Sequence, residues 1–396
     1  MAERAVIPVI KPWFGAEEVE AAAAAVASGW VAQGPRVAEF ERAFAAAIGT
    51  EHAVAVSSCT AALHLALVAA GIGPGDEVIV PSLSFIATAN VVRYVGATAV
   101  FADVDPVTQN LTPGTVEPVL TERTRALILV DQAGIPADLD AMRELAGPRG
   151  VAVIEDAACA AGASYRDRPV GAGAALATFS FHPRKLLTTG EGGMITTSDE
   201  AMAARMRRLR EHGMNVSAAR RHESRQPVIE EYAEVGFNYR MTDIQAAIGL
   251  VQLGKLDRVV ARRRELASRY QQLLAGIPGL RTASDPDYGT TNFQSFWIAL
   301  PASFPVTRNE VLSALAEAEI AGRRGIMAAH LEPAYAGHPH VPLPVTEMLT
   351  SSSLILPLYH DMTEQEQDAV VAVIHELSCR TTSRASPARS VLSEVP

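Results

Sequence analysis

Cysteine is scarce in this chain: Cys59, Cys159 and Cys379 are the only three in 396 residues. Three cannot build a disulfide framework, and their spacing fits no zinc motif. A reducing, cytosolic compartment is the natural reading. Long apolar runs are missing as well. None reaches the ~18 residues that a membrane span needs. The start of the chain, residues 1–14, has its apolar run broken by Lys11 and lacks a signal-peptide core. These absences lead to the expectation of a cytoplasmic protein with no membrane partner. There is no basic excess either. Lys plus Arg total 34 against 44 Asp plus Glu, a net charge of −10. That balance excludes nucleic acid or an anionic membrane as the main partner, while leaving room for a local basic pocket that holds a phosphate. No internal repeat is present, and low complexity is confined to AAAAAVA at 21–27, which reads as a helix.

What is present suits an enzyme. Hydrophobic residues make up 48% and charged residues 20%, a globular composition. The length suggests two to three domains' worth of chain at roughly 100–200 residues each. Apolar strands are predicted at 53–57, 78–81, 98–104, 125–130 and 151–155. Helices are predicted at 60–70, 85–95 and 137–147 between them. Near-continuous apolar strands alternating with helices imply an α/β architecture, a mostly parallel sheet covered on both faces. After about residue 250 the texture changes. A charged amphipathic helix is predicted at 251–275, then a strand near 293–299 and a helix at 307–319, with Pro-rich loops. The expected division is residues 1–255 for an N-terminal arm and large domain and 256–378 for a smaller α+β domain. A mobile Ser/Arg/Thr/Pro-rich tail is expected over 379–396.

The sharpest segment is FSFHPRKLLTTGEGG at 179–193, where Lys185 sits between a Pro-containing turn and a glycine-rich loop. Upstream, IEDAACAAGA at 154–163 places Asp156 at the carboxyl end of a predicted strand, where ligands bind in open α/β sheets. An acid at a strand end and a lysine 29 residues later suit pyridoxal 5′-phosphate (PLP). That cofactor needs an amine for a Schiff base and a carboxylate to keep its pyridine nitrogen protonated. Spacing alone favours a helix-capping aspartate and a surface lysine, because an Asp and a Lys some thirty residues apart are common. Ser58, Cys59 and Thr60 lie between a strand and an Ala/Leu-rich helix. The amides at a helix start attract phosphate, and plain N-capping uses the same geometry. A nicotinamide-binding turn is excluded, because the glycines at 71–76 follow a helix and precede a strand, the reverse of the fingerprint order.

Six islands, read in order, carry more weight. They are SGWVAQGP (28–35), VSSCTAALHLAL (56–67), PSLSFIATAN (81–90), IEDAACAAGA (154–163), FSFHPRKLLTTGEGGM (179–194) and GFNYRMTDIQAAIGLVQL (236–253). Together they closely resemble the DegT–StrS type of PLP-dependent sugar aminotransferases, within fold-type I, to about residue 375. The resemblance implies that Lys185 is the Schiff-base lysine and the carrier of the proton between Cα and the cofactor. Asp156 is implied as the partner of the pyridine nitrogen. It gives the phosphate to Ser58, Cys59, Thr60 and Ser180, with Asn238 reaching it from a neighbouring subunit, so that the active unit is a homodimer with shared sites. Phe85 is implied to stack on the cofactor ring. The expected co-substrates are an amino-acid donor, glutamate or glutamine, and a keto group on a nucleotide-linked sugar or, alternatively, on a keto-cyclitol.

The chain departs from the family pattern at three places. Cys159 replaces a Gln or His that can bond the cofactor, and a thiol is a weaker partner. Cys59 stands where Gly is common, so its side chain is expected to point away from the cofactor. The stretch RRGIMAAHLEPAY at 323–335 keeps His330 but loses the Tyr and Pro that usually precede it, and gains Arg323 and Arg324. Trp30 and His330 are candidate substrate contacts. One of the two arginines is a candidate for a carboxylate or a diphosphate, since a guanidinium grips either in a fork; a solvated arginine pair on a loop is the competing reading. A sugar dehydratase of the same family would carry histidine in place of Lys185.

Overall fold

The computed structural model describes residues 6–216 and 226–380. The expected tail therefore lies, beyond residue 380, outside the described residues. Strands β1 (His52–Val56), β2 (Glu77–Pro81), β3 (Thr98–Ala102), β4 (Thr124–Val130) and β5 (Ala152–Asp156) match the five predicted strands to within about two residues. The short strands β6 (Ser164–Tyr165) and β7 (Arg168–Pro169) follow, then β8 (Leu176–Ser180) and β9 (Gly193–Thr197). Seven of these form one sheet in the order β1-β9-β8-β5-β4-β2-β3. Every pair from β8 to β3 is parallel, and β9 is antiparallel to both neighbours. Val78 to Val80 and Leu127 to Leu129 are fully buried, because helices cover both faces; this is why their strands read as unbroken apolar runs.

The helix Cys59–Ala69 is capped by Ser58, whose hydroxyl accepts from the Ala61 N–H at 3.1 Å. The helix Pro35–Ile48 was not predicted. Its signals are Pro35 at the first turn and Phe40, Phe44 and Ile48 at four-residue spacing, all buried.

The helix predicted at 251–275 starts earlier and runs Asp243–Leu274. Thr242 and Gln245 close a capping box there, a sequence pattern that marks a helix start. The helix passes unbroken through 250–260, where the change of texture falls, so no linker separates the two parts. Its first half binds the helices Ala16–Ala27 and Pro35–Ile48, and its second half binds the helix Glu364–Ser378. Beyond it, β10 (Arg281–Thr282), β12 (Phe296–Ala299), β13 (Arg323–Arg324) and β14 (Ser353–Leu356) form an antiparallel sheet in the order β10-β12-β14-β13. The strand β11 (Gly289–Thr290) returns to pair with β6. A separate apolar core, with Tyr270, Phe296, Leu315 and Ile374, lies under the four-stranded sheet. Among the described residues no helix is long and apolar enough to cross a membrane.

The two ends of the large part are joined by one carboxylate. Asp243 is fully buried, and its oxygens accept the backbone N–H groups of Gly34 (2.7 Å), Arg36 (3.0 Å) and Val37 (3.0 Å). These are the amides at the start of the helix Pro35–Ile48, which a helix leaves without internal partners. Asp243→Ala would bury them unpaired, so a loss of about 2–4 kcal/mol is expected. A lowered urea midpoint with an unchanged m-value would show it.

Candidate active site

Asp156 ends β5 at the carboxyl edge of the parallel strands, with β4 and β8 on either side. It is buried. Its Oδ2 accepts from the Thr88 hydroxyl at 3.1 Å, and its Oδ1 accepts from the Ala158 N–H at 3.2 Å. The Ser84 and Thr88 hydroxyls are 2.8 Å apart, so the loop after β2 holds the carboxylate from one side. Burial pushes the Asp156 pKa above the ordinary carboxylate range, and the Ala158 amide, Lys185 and Thr88 pull against it. A cation placed against this carboxylate would be held tightly, because each charge removes the other's cost of burial.

Lys185 lies in the turn that joins β8 to β9. The turn is closed by Lys185 N–H to His182 O (2.8 Å), Thr189 N–H to Phe181 O (3.0 Å) and Phe181 N–H to Gly192 O (2.9 Å). Nζ donates to Cys159 Sγ at 3.0 Å. Burial lowers the amine's pKa, but Cys159, Cys59 and Asp156 outweigh it and the net shift is upward. The departure at position 159 thus has a defined place, since its sulfur is the atom that Nζ touches.

The phosphate residues converge through backbone packing. Gly193 pairs with Val56 on one side and Ser180 on the other. A Cβ there would lie 2.5 Å from the Ser58 carbonyl carbon and 2.6 Å from the Cys59 nitrogen. Only glycine lets β9 approach the Ser58–Thr60 turn so closely. The result is Ser58, the first amides of the helix Cys59–Ala69, Thr60 and Ser180 at one corner. Ser58 Oγ serves as the helix cap, and a helix start of this geometry is also one that a phosphate can use.

Phe85 is 70% exposed. Its carbonyl accepts the Thr88 N–H at 3.0 Å, which ties its position to the residue that bonds Asp156. Asn238 is exposed and bridges Glu211 through the backbone. Gln33 donates to Glu211, so the SGWVAQGP loop and the Asn238 segment meet there. Trp30 is half-buried and packs over Gly34.

Three expectations are corrected or sharpened. The Cys59 thiol does not point away from the cluster. It lies 4.0 Å from Asp156 Oδ1, because the first residue of its helix falls toward the ends of β5 and β8; burial pushes its pKa well up, and the Asp156 charge adds to the rise. His330 is not placed to touch a substrate. Its side chain is 1% exposed, its Nδ1 and the Ser82 hydroxyl are 2.6 Å apart, and it packs near Phe101. It is a strut between the loop after β2 and the 326–335 stretch, which also pairs Leu83 with Ala328. Of the arginine pair, Arg324 is bound to Glu332 at 3.1 Å, while Arg323 lines a cleft beside the Lys185 turn. Sequence reasoning missed Thr88, although it lies in a quoted island one turn beyond Phe85; Gly193, legible as part of the glycine-rich loop, is the residue that lets β9 approach the Ser58 turn.

This donor set fits PLP. A buried carboxylate with neutral partners suits a pyridinium, a buried amine suits a covalent anchor, and a helix start with two hydroxyls suits a phosphate dianion. The family model of the DegT/DnrJ/EryC1/StrS aminotransferases matches residues 12–375. The chain belongs to that family. It is 40% identical over 376 residues to the spore coat polysaccharide biosynthesis protein SpsC of Bacillus subtilis (strain 168), covering 94% of this chain and 97% of SpsC. Among solved structures it is similar to DesV of S. venezuelae, with 36% identity, a TM-score of 0.86 and coverage of 96% and 100% of the two chains. It is also similar to DesI, solved in the presence of its TDP-sugar product, with 32% identity, a TM-score of 0.86 and coverage of 96% and 94%. The protein is a PLP-dependent aminotransferase of fold-type I.

Asp156→Asn keeps the shape and removes the charge, so the amino-donor half-reaction is expected to slow by about 10²–10³-fold, a range typical for loss of a preorganised electrostatic partner. Thr88→Val removes one bond to the carboxylate and is expected to cost about 10-fold. Stopped-flow absorbance with each variant, checked for an unchanged fold by circular dichroism, measures both.

Proposed function

We propose that this aminotransferase takes an amino group from glutamate or glutamine and delivers it to the keto carbon of a nucleotide-linked sugar. The observation that carries the reading is the cluster of Lys185, Cys159 and Asp156 at the strand ends, beside the phosphate corner. The sugar class rests on the family, on the polysaccharide role in the name of SpsC and on the TDP-sugar product of DesI.

Bound PLP supplies a protonated ring that accepts the electron pair left when a Cα proton is removed. The chain's own residues do the rest. Asp156 keeps the ring nitrogen charged, and Thr88 and Ala158 hold that carboxylate in place. Lys185 would hold the cofactor covalently and, as a free amine, would move the proton from Cα. Its amine returns to Cys159 Sγ when free. Ser58, Thr60, Ser180 and the helix amides hold the phosphate, so the ring does not drift while Lys185 is detached. Phe85 covers one ring face. Lys185 stands where a dehydratase of this type would carry histidine, which supports amino transfer over dehydration.

The active unit in this reading is a homodimer. Asn238 is exposed on a segment whose Ile229, Tyr232 and Val235 are also largely exposed, an apolar stretch suited to a second subunit.

The test is the visible spectrum of the PLP-loaded protein before and after glutamate or glutamine. A band from the lysine-bound cofactor that either donor discharges is expected, and Lys185→Ala is expected to lack the band and to lose about 10²–10⁴-fold or more of the proton-transfer rate. Absence of the band in the parent would refute the Lys185 assignment. The discharged enzyme is then offered a TDP-linked keto-sugar and a keto-cyclitol; recharging by the cyclitol alone would move the acceptor to that class.

A further inference from the structure

The two turns that bear the acid and the amine are held from outside the large sheet. Asn292, Phe293 and Gln294 lie just before β12, in the smaller part of the chain. Asn292 is fully buried, and its Nδ2 donates to Cys159 O and Ala161 O, each at 2.8 Å. Those carbonyls belong to the turn that leaves Asp156, and Cys159 carries the sulfur that Lys185 Nζ touches. Gln294 is buried as well, and its Nε2 donates to the carbonyl of Arg184, the peptide unit that leads into Lys185. Two side chains, two residues apart, thus reach both turns.

The segment itself is tightly held. Asn292 Oδ1 accepts the Gln294 N–H at 2.8 Å, so both ends of the Asn292 amide are used. Phe293, between them, has a φ of 51°, a left-handed backbone that an aromatic residue adopts only where its surroundings impose it. Arg263 of the helix Asp243–Leu274 supplies that constraint. It is 3% exposed, and it donates Nε to Phe293 O, Nη2 to Gln294 O and Nη1 to Leu358 O, each at 2.8 Å. No carboxylate pairs with it among the described residues, and burial brings its pKa down to about 9. A buried cation without an anion is costly; here its charge-assisted bonds go to two successive carbonyls of the segment. On the other side the fit is close. A Cβ on Gly134, in the loop after β4, would lie 1.8 Å from Asn292 Oδ1.

We propose that this segment is the clamp through which the smaller part of the molecule positions the reacting groups, with Asn292 and Gln294 as positioning residues for the Asp156 and Lys185 turns. The inference rests on the aminotransferase reading above. In that reading Lys185 is bonded to the cofactor for part of the cycle and free for the rest, so its side chain must move while its backbone stays in place. The bond from Gln294 fixes the backbone one residue before the moving amine. The bonds from Asn292 fix the turn on the opposite side, from Asp156 to Cys159. A displacement of about 1 Å in a reacting group can cost about 10²-fold in rate. One rigid segment referenced to both turns keeps their separation constant, which two independent loops would not.

Gln294→Met keeps the length of the side chain and loses the donor. Asn292→Asp keeps the acceptor for the Gln294 N–H and loses the donors. Ile374→Val, in the apolar core under the four-stranded sheet, lowers stability without touching either turn. Hydrogen exchange is read by mass spectrometry on the PLP-loaded enzyme and on the same protein freed of PLP, alongside kcat and KM for the amino-donor half-reaction. Gln294→Met is expected to speed exchange at 181–192 by about 10-fold, the scale of one buried hydrogen bond, and to leave 157–163 unchanged. Asn292→Asp is expected to do the reverse. Each is expected to lower kcat by about 10-fold with KM within about 2-fold of the parent, and to keep the lysine-bound absorption band. Ile374→Val is expected to change neither segment selectively and to leave kcat alone. Parent-like exchange at 181–192 and parent-like kcat in Gln294→Met would overturn the proposal. So would faster exchange spread over the whole chain, as in Ile374→Val, which would make the segment ordinary structural support. If the parent shows no lysine-bound band, the aminotransferase reading fails, and the exchange pattern still judges the clamp on its own.

Discussion

The active site depends on one expensive placement, a carboxylate buried at the end of β5. Asp156 has a hydroxyl, an amide and a thiol around it, and burial biases it toward its neutral form. The neighbouring residues can be read as responses to that bias. The loop after β2 contributes Thr88, the turn after β5 contributes the Ala158 amide, and the turn after β8 brings in Lys185. All three arrive at the same edge because β2, β5 and β8 run parallel, so their carboxyl ends and the turns that follow lie together. A cationic ring set against Asp156 reverses the bias, since the pair is then worth more in a poorly screened interior than either charge alone. Alone this acid is a weak structural element, and against a cation it becomes a strong partner.

A second constraint is the antiparallel strand β9. A parallel strand in its place would carry the chain away from the site. As built, the chain turns back after β8 through residues 181–192, and Lys185 sits in that connection. The reversal also places Gly193 against the Ser58 turn. One hairpin thereby holds both Lys185 and the contact between Gly193 and the Ser58 turn. The long helix Asp243–Leu274 supplies the stiffness behind this arrangement, capping the helix Pro35–Ile48 through Asp243 and carrying the C-terminal part on its other half.

Much of this was legible in the sequence. The five apolar strands are buried on both faces, so their patterns survive as continuous runs, and Asp156 and Lys185 stand out in the sequence by a strand end and a motif. The unread parts share a physical reason: their structure is decided by residues distant in the chain. The start of the helix Pro35–Ile48 is held by Asp243, more than 200 residues away. The Cys59 thiol turns inward because Asp156 lies there, which no local pattern reveals. His330 keeps its place in the 323–335 stretch yet is sealed by Ser82 and Phe101. Its local sequence resembles a substrate-contacting stretch, and only the tertiary packing shows that its ring is inside. Local capping signals were present and overlooked at Thr242, where the pattern Thr-x-x-Gln was enough to move the helix start by eight residues.

Charge distribution links the site to the whole. The chain carries a net −10, which alone would repel an anionic donor and a phosphorylated cofactor alike. Locally the sign differs: Arg184, Arg263 and Arg323 gather with no acidic residue among them, and the helix Cys59–Ala69 presents its N-terminal end elsewhere. At physiological salt, exposed charges more than about 8 Å away are largely screened. A ligand near the opening is then governed by the nearby cations more than by the distant surplus of acids. Low-dielectric walls strengthen that local field. The acid surplus and the arginine cluster are therefore compatible: the first sets the average charge of the molecule, and the second sets the local potential beside the Lys185 turn.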